Sequence, residues 1–308
     1  MSAMSVLLGV LAGTIVLVLL VSFVCFLLTF YSSNKSTTQE YPLPPGEIYL
    51  PYRDTMVAWM KEARTLPYER LSVTSFDGLT LRGRYYEYAP GAPIELMMPG
   101  YRGLAERDLC GGVQRCFAMG RSALIVDQRG CGDSDGHVIT FGVREHRDCL
   151  TWLQLLIDRF GKDVRVYLTG ISMGAATVMI AAGQDLPPQV IGVVADCGFT
   201  SAKDIIKKVI RQLHLPADLL YPFVRLGALL YGGFDPEAVS PIESLKHCRV
   251  PICFAHGDAD DYVPHEMSVR NYAVCTAPKT LFTAKGAGHG LSYLAASERY
   301  IQALKGNE

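Results

Sequence analysis

The sequence predicts an α/β fold built on a mostly parallel, twisted sheet with helices on both faces, and three observations predict it. From residue 94 onward, short β-branched runs alternate with helical stretches, the order in which parallel strands are joined by crossover helices. One strand-to-helix junction reads Gly170-Ile171-Ser172-Met173-Gly174, a turn that lifts a serine above the sheet. Two later strand-end loops supply carboxylates and a glycine-flanked histidine, at the carboxyl ends of the strands where such folds place functional groups. The chain has 308 residues, 49% of them hydrophobic, enough for one large domain with an accessory segment.

The elements follow in order. Residues 6–30 carry no charge and are rich in Leu, Val, Phe and Ile. At ~1.5 Å per residue they are long enough to cross a ~30 Å hydrocarbon core. A cleaved secretory leader needs a basic start and a shorter apolar run, and residues 1–5 contain neither Lys nor Arg, so 1–31 reads as a single-pass transmembrane anchor. Lys35, Arg53 and Lys61 follow the span and no basic residue precedes it, which places the catalytic part on the cytoplasmic side. Gly9 and Gly13 form a G-x-x-x-G through which two anchors could pair, a route to weak homodimerisation.

Residues 32–51 read as a linker, broken by Pro42, Pro44, Pro45 and Pro51. The remaining domain spans 52–308. Met56, Trp59, Met60 and Ala63 share one face of a helix over 54–64. Strands 71–76 and 79–86 flank Asp77-Gly78, a hairpin signal. Further strands are expected at 94–98, 123–127, 164–169, 190–195, and near 251–255 and 280–283, with helices over 144–160 and 172–182. Residues 200–245 break this rhythm with short helical bursts. They read either as an ordinary helical crossover or as a small cap whose apolar side lines an acyl pocket.

A net charge of −1 and the lack of a basic cluster argue against a nucleic-acid partner. Nine scattered cysteines without metal-ligand spacing read as reduced core residues, and no metal or organic cofactor is implied.

Acyl transfer by a serine needs a base for its proton, an acid to orient that base, and donors for the oxyanion. Ser172 is the candidate nucleophile. His289, in Gly286-Ala287-Gly288-His289-Gly290, is the candidate base. Asp260 is the preferred orienting acid, ahead of Asp258, Asp261 and the more remote Asp196. The backbone N–H of Met173, at a helix N-terminus, and that of Tyr101, between Gly100 and Gly103, are the expected oxyanion donors.

These residues resemble those of a serine α/β-hydrolase, similar to the bacterial, membrane-anchored or secreted branch of serine aminopeptidase-like and dipeptidyl-peptidase-like proteins. The likeness runs from Ser72 to the last helix and also covers Ser75-Phe76-Asp77-Gly78-Leu79 and the run from Asp127 to Gly136. It implies the α/β-hydrolase fold, the Ser, Asp, His order seen here, and a structural role for the Asp127 run. Pro99 departs from the pattern, since relatives commonly carry His before the oxyanion glycine.

The expected activity is hydrolysis of a carboxylic ester, a small-molecule ester or acyl substrate, through an acyl-Ser172 intermediate. A membrane-anchored peptidase acting on small peptides is the rival enzyme reading, and a non-catalytic hydrolase-like module the reading from another class.

Overall fold

The computed structural model describes residues 2–33 and 39–306. Lys35, used above for membrane orientation, lies outside the described residues. Eight strands form one sheet: β1 (Glu69–Thr74), β2 (Thr80–Tyr86), β3 (Ile94–Met98), β4 (Ser122–Val126), β5 (Val166–Ile171), β6 (Val190–Asp196), β7 (Ile252–Gly257) and β8 (Lys279–Ala284). Their spatial order is β1-β2-β4-β3-β5-β6-β7-β8. The β1–β2 hairpin turns at Gly78, whose φ of 88° suits glycine, and β2 joins β4 antiparallel; every later pairing is parallel.

The longer helices are α1 (Ala3–Thr29), α2 (Arg53–Thr65), α3 (Glu145–Phe160), α4 (Met173–Ala182), α5 (Ala202–Gln212), α6 (Ala217–Gly227), α7 (His265–Val274) and α8 (Ser297–Lys305). Side chains of α3, α4 and α7, among them Trp152, Leu156 and Val178, cover one face of the sheet with Leu96, Leu168 and Phe254. On the other face Met56 and Met60 of α2 and Tyr300 and Leu304 of α8 pack with Val194 and Cys253. Burial on both faces explains why β3 and β4 are apolar without alternation. The exception is Glu95, fully buried in β3. It pairs with Arg115 and Arg121 and accepts a bond from Thr169 Oγ1 at 2.8 Å, which satisfies a charge that burial would otherwise make costly.

Besides β1, which runs two residues earlier than the expected 71–76, three features depart from the sequence expectation. Strand β5 runs two residues later than 164–169, because Gly170 and Ile171 continue the parallel register with Ala195 and Asp196; Ser172 therefore follows the strand directly. Short helices at Ala105–Asp108 and Gly112–Ala118 follow β3, where no element was expected; their few turns carry too little periodicity to read.

The third departure concerns the tether. Its second half is docked: a 3-10 turn over Glu47–Tyr52 buries Tyr49 against the α2 and α8 side of the core. Proline blocked a longer helix but not packing. At its start, Ser32 N–H donates to the His137 carbonyl at 2.8 Å and Ile139 N–H to the Phe30 carbonyl at 2.9 Å.

Helix α1 is long and apolar enough to cross a membrane. Its last turns are not free. Val18, Val21, Ser22, Cys25, Phe26, Thr29 and Phe30 form a covered stripe at helical spacing. Phe26 and Phe30 enter a cluster with Phe141, Met173, Phe199 and Phe234, which joins α1 to the helical insertion over 200–245 and to the start of α4. The Phe30 and Phe234 rings meet edge to face at 5.1 Å. Phe30→Ala is expected to cost about 3–5 kcal/mol; a denaturant midpoint of the detergent-solubilised chain that does not fall would contradict this packing.

Candidate active site

The turn after β5 positions the site. Ser172 has φ 55° and ψ −116°, a conformation that L-residues with a Cβ rarely adopt, and its N–H donates to the Asp196 carbonyl at 2.8 Å. The two glycines make the turn possible. A Cβ at Gly170 would collide with the Gly174 backbone, and one at Gly174 would collide with the carbonyl of Met98. Helix α4 then starts at Met173, so the free N–H groups of its first turn and the positive end of its dipole gather around Ser172.

The other predicted residues converge on this serine. Ser172 Oγ lies 3.0 Å from His289 Nε2, and His289 Nδ1 lies 2.7 Å from Asp260 Oδ2. An ionised carboxylate only accepts, so Nδ1 carries the proton and Nε2 is left to accept from the serine. The His289 loop turns on Gly286 (φ 72°) and Gly290 (φ 67°). It is held by the Tyr49 hydroxyl, which donates to the His289 carbonyl at 3.0 Å.

Asp260 is surrounded by donors. Its Oδ1 accepts from the N–H groups of Tyr262 and Val263, at 2.9 and 2.8 Å, and its Oδ2 accepts from His256 Nε2 at 3.1 Å as well as from His289. His256 Nε2 faces two acceptors, Asp260 and the Val263 carbonyl, so it holds its proton there and takes a bond from Ser268 Oγ at Nδ1. Burial alone would push the Asp260 carboxyl up; the hydrogen bonds from His256 and His289 outweigh it and hold the group well below the usual carboxylate range.

The competing carboxylates are placed elsewhere. Asp258 accepts from Gly286 N–H at 2.5 Å and Asp196 accepts from Ser292 Oγ at 2.8 Å, while Asp261 is exposed and is held by its backbone carbonyl, which takes bonds from Lys208 and Gln212. Cys197 Sγ lies within 4.8 Å of the ligand atoms of Asp260 and His289. Burial, with help from Asp196 and Asp260, pushes its thiol well above the ordinary value, so it is a protonated neighbour and a poor metal ligand.

The loop after β3 passes over the elbow: a Cβ at Gly100 would lie 3.6 Å from Ser172 Cβ. Pro99 stands where a histidine support was expected, and other residues supply the support. Gln128 Nε2 donates to the Pro99 carbonyl at 2.6 Å, and Gly100 N–H donates to Asp108 Oδ2 at 3.1 Å, with Arg107 Nε on the other oxygen at 2.6 Å. The Tyr101 hydroxyl donates to the Thr29 carbonyl at 2.8 Å. Arg102, at φ 51°, donates to the carbonyls of Leu28 and Tyr31 at 3.1 and 2.7 Å, satisfying the open end of α1.

Within the run from Asp127, Arg129 is buried between Asp148 and Asp77, while Gln128 reaches the Pro99 carbonyl.

A cavity of about 830 Å³ opens at Ser172 and His289. Its walls come from the docked segment at 44–49, the loop and short helices at 100–115, and residues 290–300; Ile48, Tyr49, Met97, Leu109 and Tyr293 give it an apolar lining. Among the described residues, none of those lining it belongs to 200–245, the segment expected as an acyl-pocket cap. Sequence reasoning missed His256, Tyr49, Asp108 and Gln128. The one available signal was His256, at the end of β7 and four residues before Asp260.

The family model described as alpha/beta hydrolase fold matches residues 99–233. An uncharacterized Bacillus subtilis protein, YqkD, is 29% identical over 188 residues, which cover 61% of this chain and 62% of that protein. The Aspergillus calidoustus protein named acyltransferase drtE is 25% identical over 289 residues, covering 77% of this chain and 92% of its own. The solved Pyrococcus furiosus esterase Pf2001 superposes with a TM-score of 0.64 at 19% identity, over 89% of this chain and 97% of that one. The fold is the α/β-hydrolase fold.

Two outcomes follow. A carboxyl held below its unfolded value of about 3.9 contributes stability that is present above that pH and lost as the pH falls through the folded value. The stability gap between the native chain and Asp260→Asn is therefore expected to be full at neutral pH and to shrink below about pH 4; denaturant midpoints that diverge on acidification would contradict it. Asp108→Ala, which frees Gly100, is expected to slow fluorophosphonate labelling of Ser172 by up to about 100-fold; labelling at the native rate would contradict a supporting role for Asp108.

Proposed function

We propose that this chain, built on the α/β-hydrolase fold, is a serine hydrolase that cleaves a carboxylic ester. Ser172 Oγ attacks the ester carbonyl while His289 Nε2 takes its proton. The backbone N–H groups of Met173 and Tyr101 meet the developing oxyanion. His289 then hands the proton to the leaving alcohol, and water, activated by the same imidazole, releases the acid from acyl-Ser172. Asp260 keeps the proton on Nδ1 and stabilises the imidazolium that forms. The observation that carries this reading is the continuous Ser172–His289–Asp260 chain at 3.0 and 2.7 Å on a serine whose backbone is held at φ 55°.

The cavity supports an ester over a peptide. Recognition of a peptide amino terminus needs carboxylates free to receive an ammonium. Of the carboxylates lining the cavity among the described residues, Asp108 is already bound by Arg107 and Gly100 and Asp196 by Ser292, which leaves only Glu47 and Asp261, both exposed, for an ammonium group. The apolar walls instead fit a hydrocarbon acyl group or alcohol. The likeness to a protein named acyltransferase favours a second reading, in which a bound alcohol rather than water takes the acyl group from Ser172; the two share every step up to the acyl-enzyme. Helix α1 holds the enzyme at a membrane.

Because Tyr101 and Arg102 are bonded to the end of α1, the full-length chain in detergent is the material to assay. Turnover of chromogenic esters is expected, falling by about 10⁶-fold in Ser172→Ala; no turnover by the native chain, or turnover unchanged in the variant, would overturn the proposal. Ile48→Trp, which narrows the cavity mouth, is expected to shift the acyl-length preference toward shorter chains. Leu219→Ala, in the insertion, is expected to leave that preference unaltered.

A further inference from the structure

Helix α6 and the π-helical turn that continues it, Ala228–Gly232, run antiparallel along the C-terminal half of α1. Gly227 sits directly on the Ser22 backbone, where any Cβ would collide with the Ser22 carbonyl. One turn on, Tyr231 reaches further toward the N-terminus of α1. Its hydroxyl donates to the Leu19 carbonyl at 3.1 Å, and its ring meets Phe23 edge to face at 5.0 Å. The helical insertion thus points its tip back along α1, away from the catalytic domain.

Length decides where that tip lies. Along α1 every residue from 3 to 17 is exposed, and packing against the protein begins at Val18. Fifteen residues at ~1.5 Å each supply about 22 Å, roughly 8 Å less than a ~30 Å hydrocarbon core. If α1 spans a bilayer, about five more residues must enter the core, which carries the boundary to Ser22. Gly227 and Tyr231 touch that stretch.

The tip's composition fits this depth. From Leu226 to Phe234 there is no charged side chain; Leu229 and Leu230 are 46% and 51% exposed, and Tyr231, 39% exposed, packs its ring against Phe23 and Phe26 of α1. The Tyr231 hydroxyl is already satisfied by Leu19, so insertion leaves it with a partner.

We propose that residues 228–231 form a wedge that enters the lipid leaflet beside α1, a second membrane contact whose occupant is the acyl-chain region of the bilayer. This rests on the anchor reading of α1. It has a consequence for the cavity: Tyr101 and Arg102, on its rim, are bonded to the last turn of α1, and Asp261 and Tyr262, also on the rim, adjoin Lys208 and Gln212 of α5. The cavity wall is therefore tied through Tyr101 and Arg102 to the base of the anchor, the side from which a bilayer-dissolved ester would arrive.

The test uses the full-length chain reconstituted in phosphatidylcholine vesicles containing brominated acyl chains. Single tryptophans are added by Leu230→Trp at the tip, Leu11→Trp in the middle of α1, and Tyr88→Trp on the domain surface, each read against the native background of Trp59 and Trp152. The added emission at 230 and at 11 is expected to be lost to bromine quenching while that at 88 persists. Quenching at 11 with none at 230 would overturn the wedge and leave the anchor standing. Quenching at neither would overturn both.

Discussion

The site depends on one strained residue. Ser172 is held at a positive φ by Gly170 and Gly174, which allow β5, α4 and the loop after β3 to approach more closely than any side chain would permit. That approach brings the start of α4 under the serine and the Gly100–Tyr101 loop over it. The chain recovers the cost of the strain elsewhere: α4 is buried along its whole length, with Met173, Ala176 and Met179 locked into clusters that include strands on one side and the end of α1 on the other.

Around that fixed point, neutral and ionised partners are sorted by position. Asp260 has four donors, two backbone and two imidazole, and is the group kept ionised. Asp196 and Cys197, a few ångströms away on the end of β6, are buried with weaker support and are pushed toward their neutral forms. The carboxylate bonded to His289 is thus the one kept charged, on the side of the ring that must hold a proton. His256 has a positioning role here: by sharing Oδ2 and tying the loop to Ser268 of α7, it fixes where the carboxylate points.

Much of this was legible in the sequence, and the reasons for the rest are physical. The alternating pattern gave the sheet because strands buried on both faces are written as short continuous apolar runs. Ser172, His289 and Asp260 were legible because each sits in a turn of distinctive composition, and the structure brings the three together. The cavity walls were not legible. Tyr49 and Ile48 lie among prolines that signal only an absence of regular structure, and proline-broken chain packs as readily as it dangles. The replacement of a histidine support at Pro99 by Gln128 and Asp108 joins residues 29 and 8 positions apart, pairings that local pattern does not encode. The bonds from Tyr101 and Arg102 to the end of α1 are likewise long-range. They turn a segment that reads as a detached anchor into part of the frame around the Gly100–Tyr101 loop.

The central claim is that Ser172 is the nucleophile, and covalent capture tests it most directly. The full-length chain is treated with a fluorophosphonate, digested, and the adduct located by fragment mass spectrometry. The account predicts a single phosphonyl group on Ser172, formed with the native chain and lost when His289 is replaced by alanine. An adduct on another residue of the cavity, or a Ser172 that stays unmodified while the cavity accepts ester substrates, would contradict it.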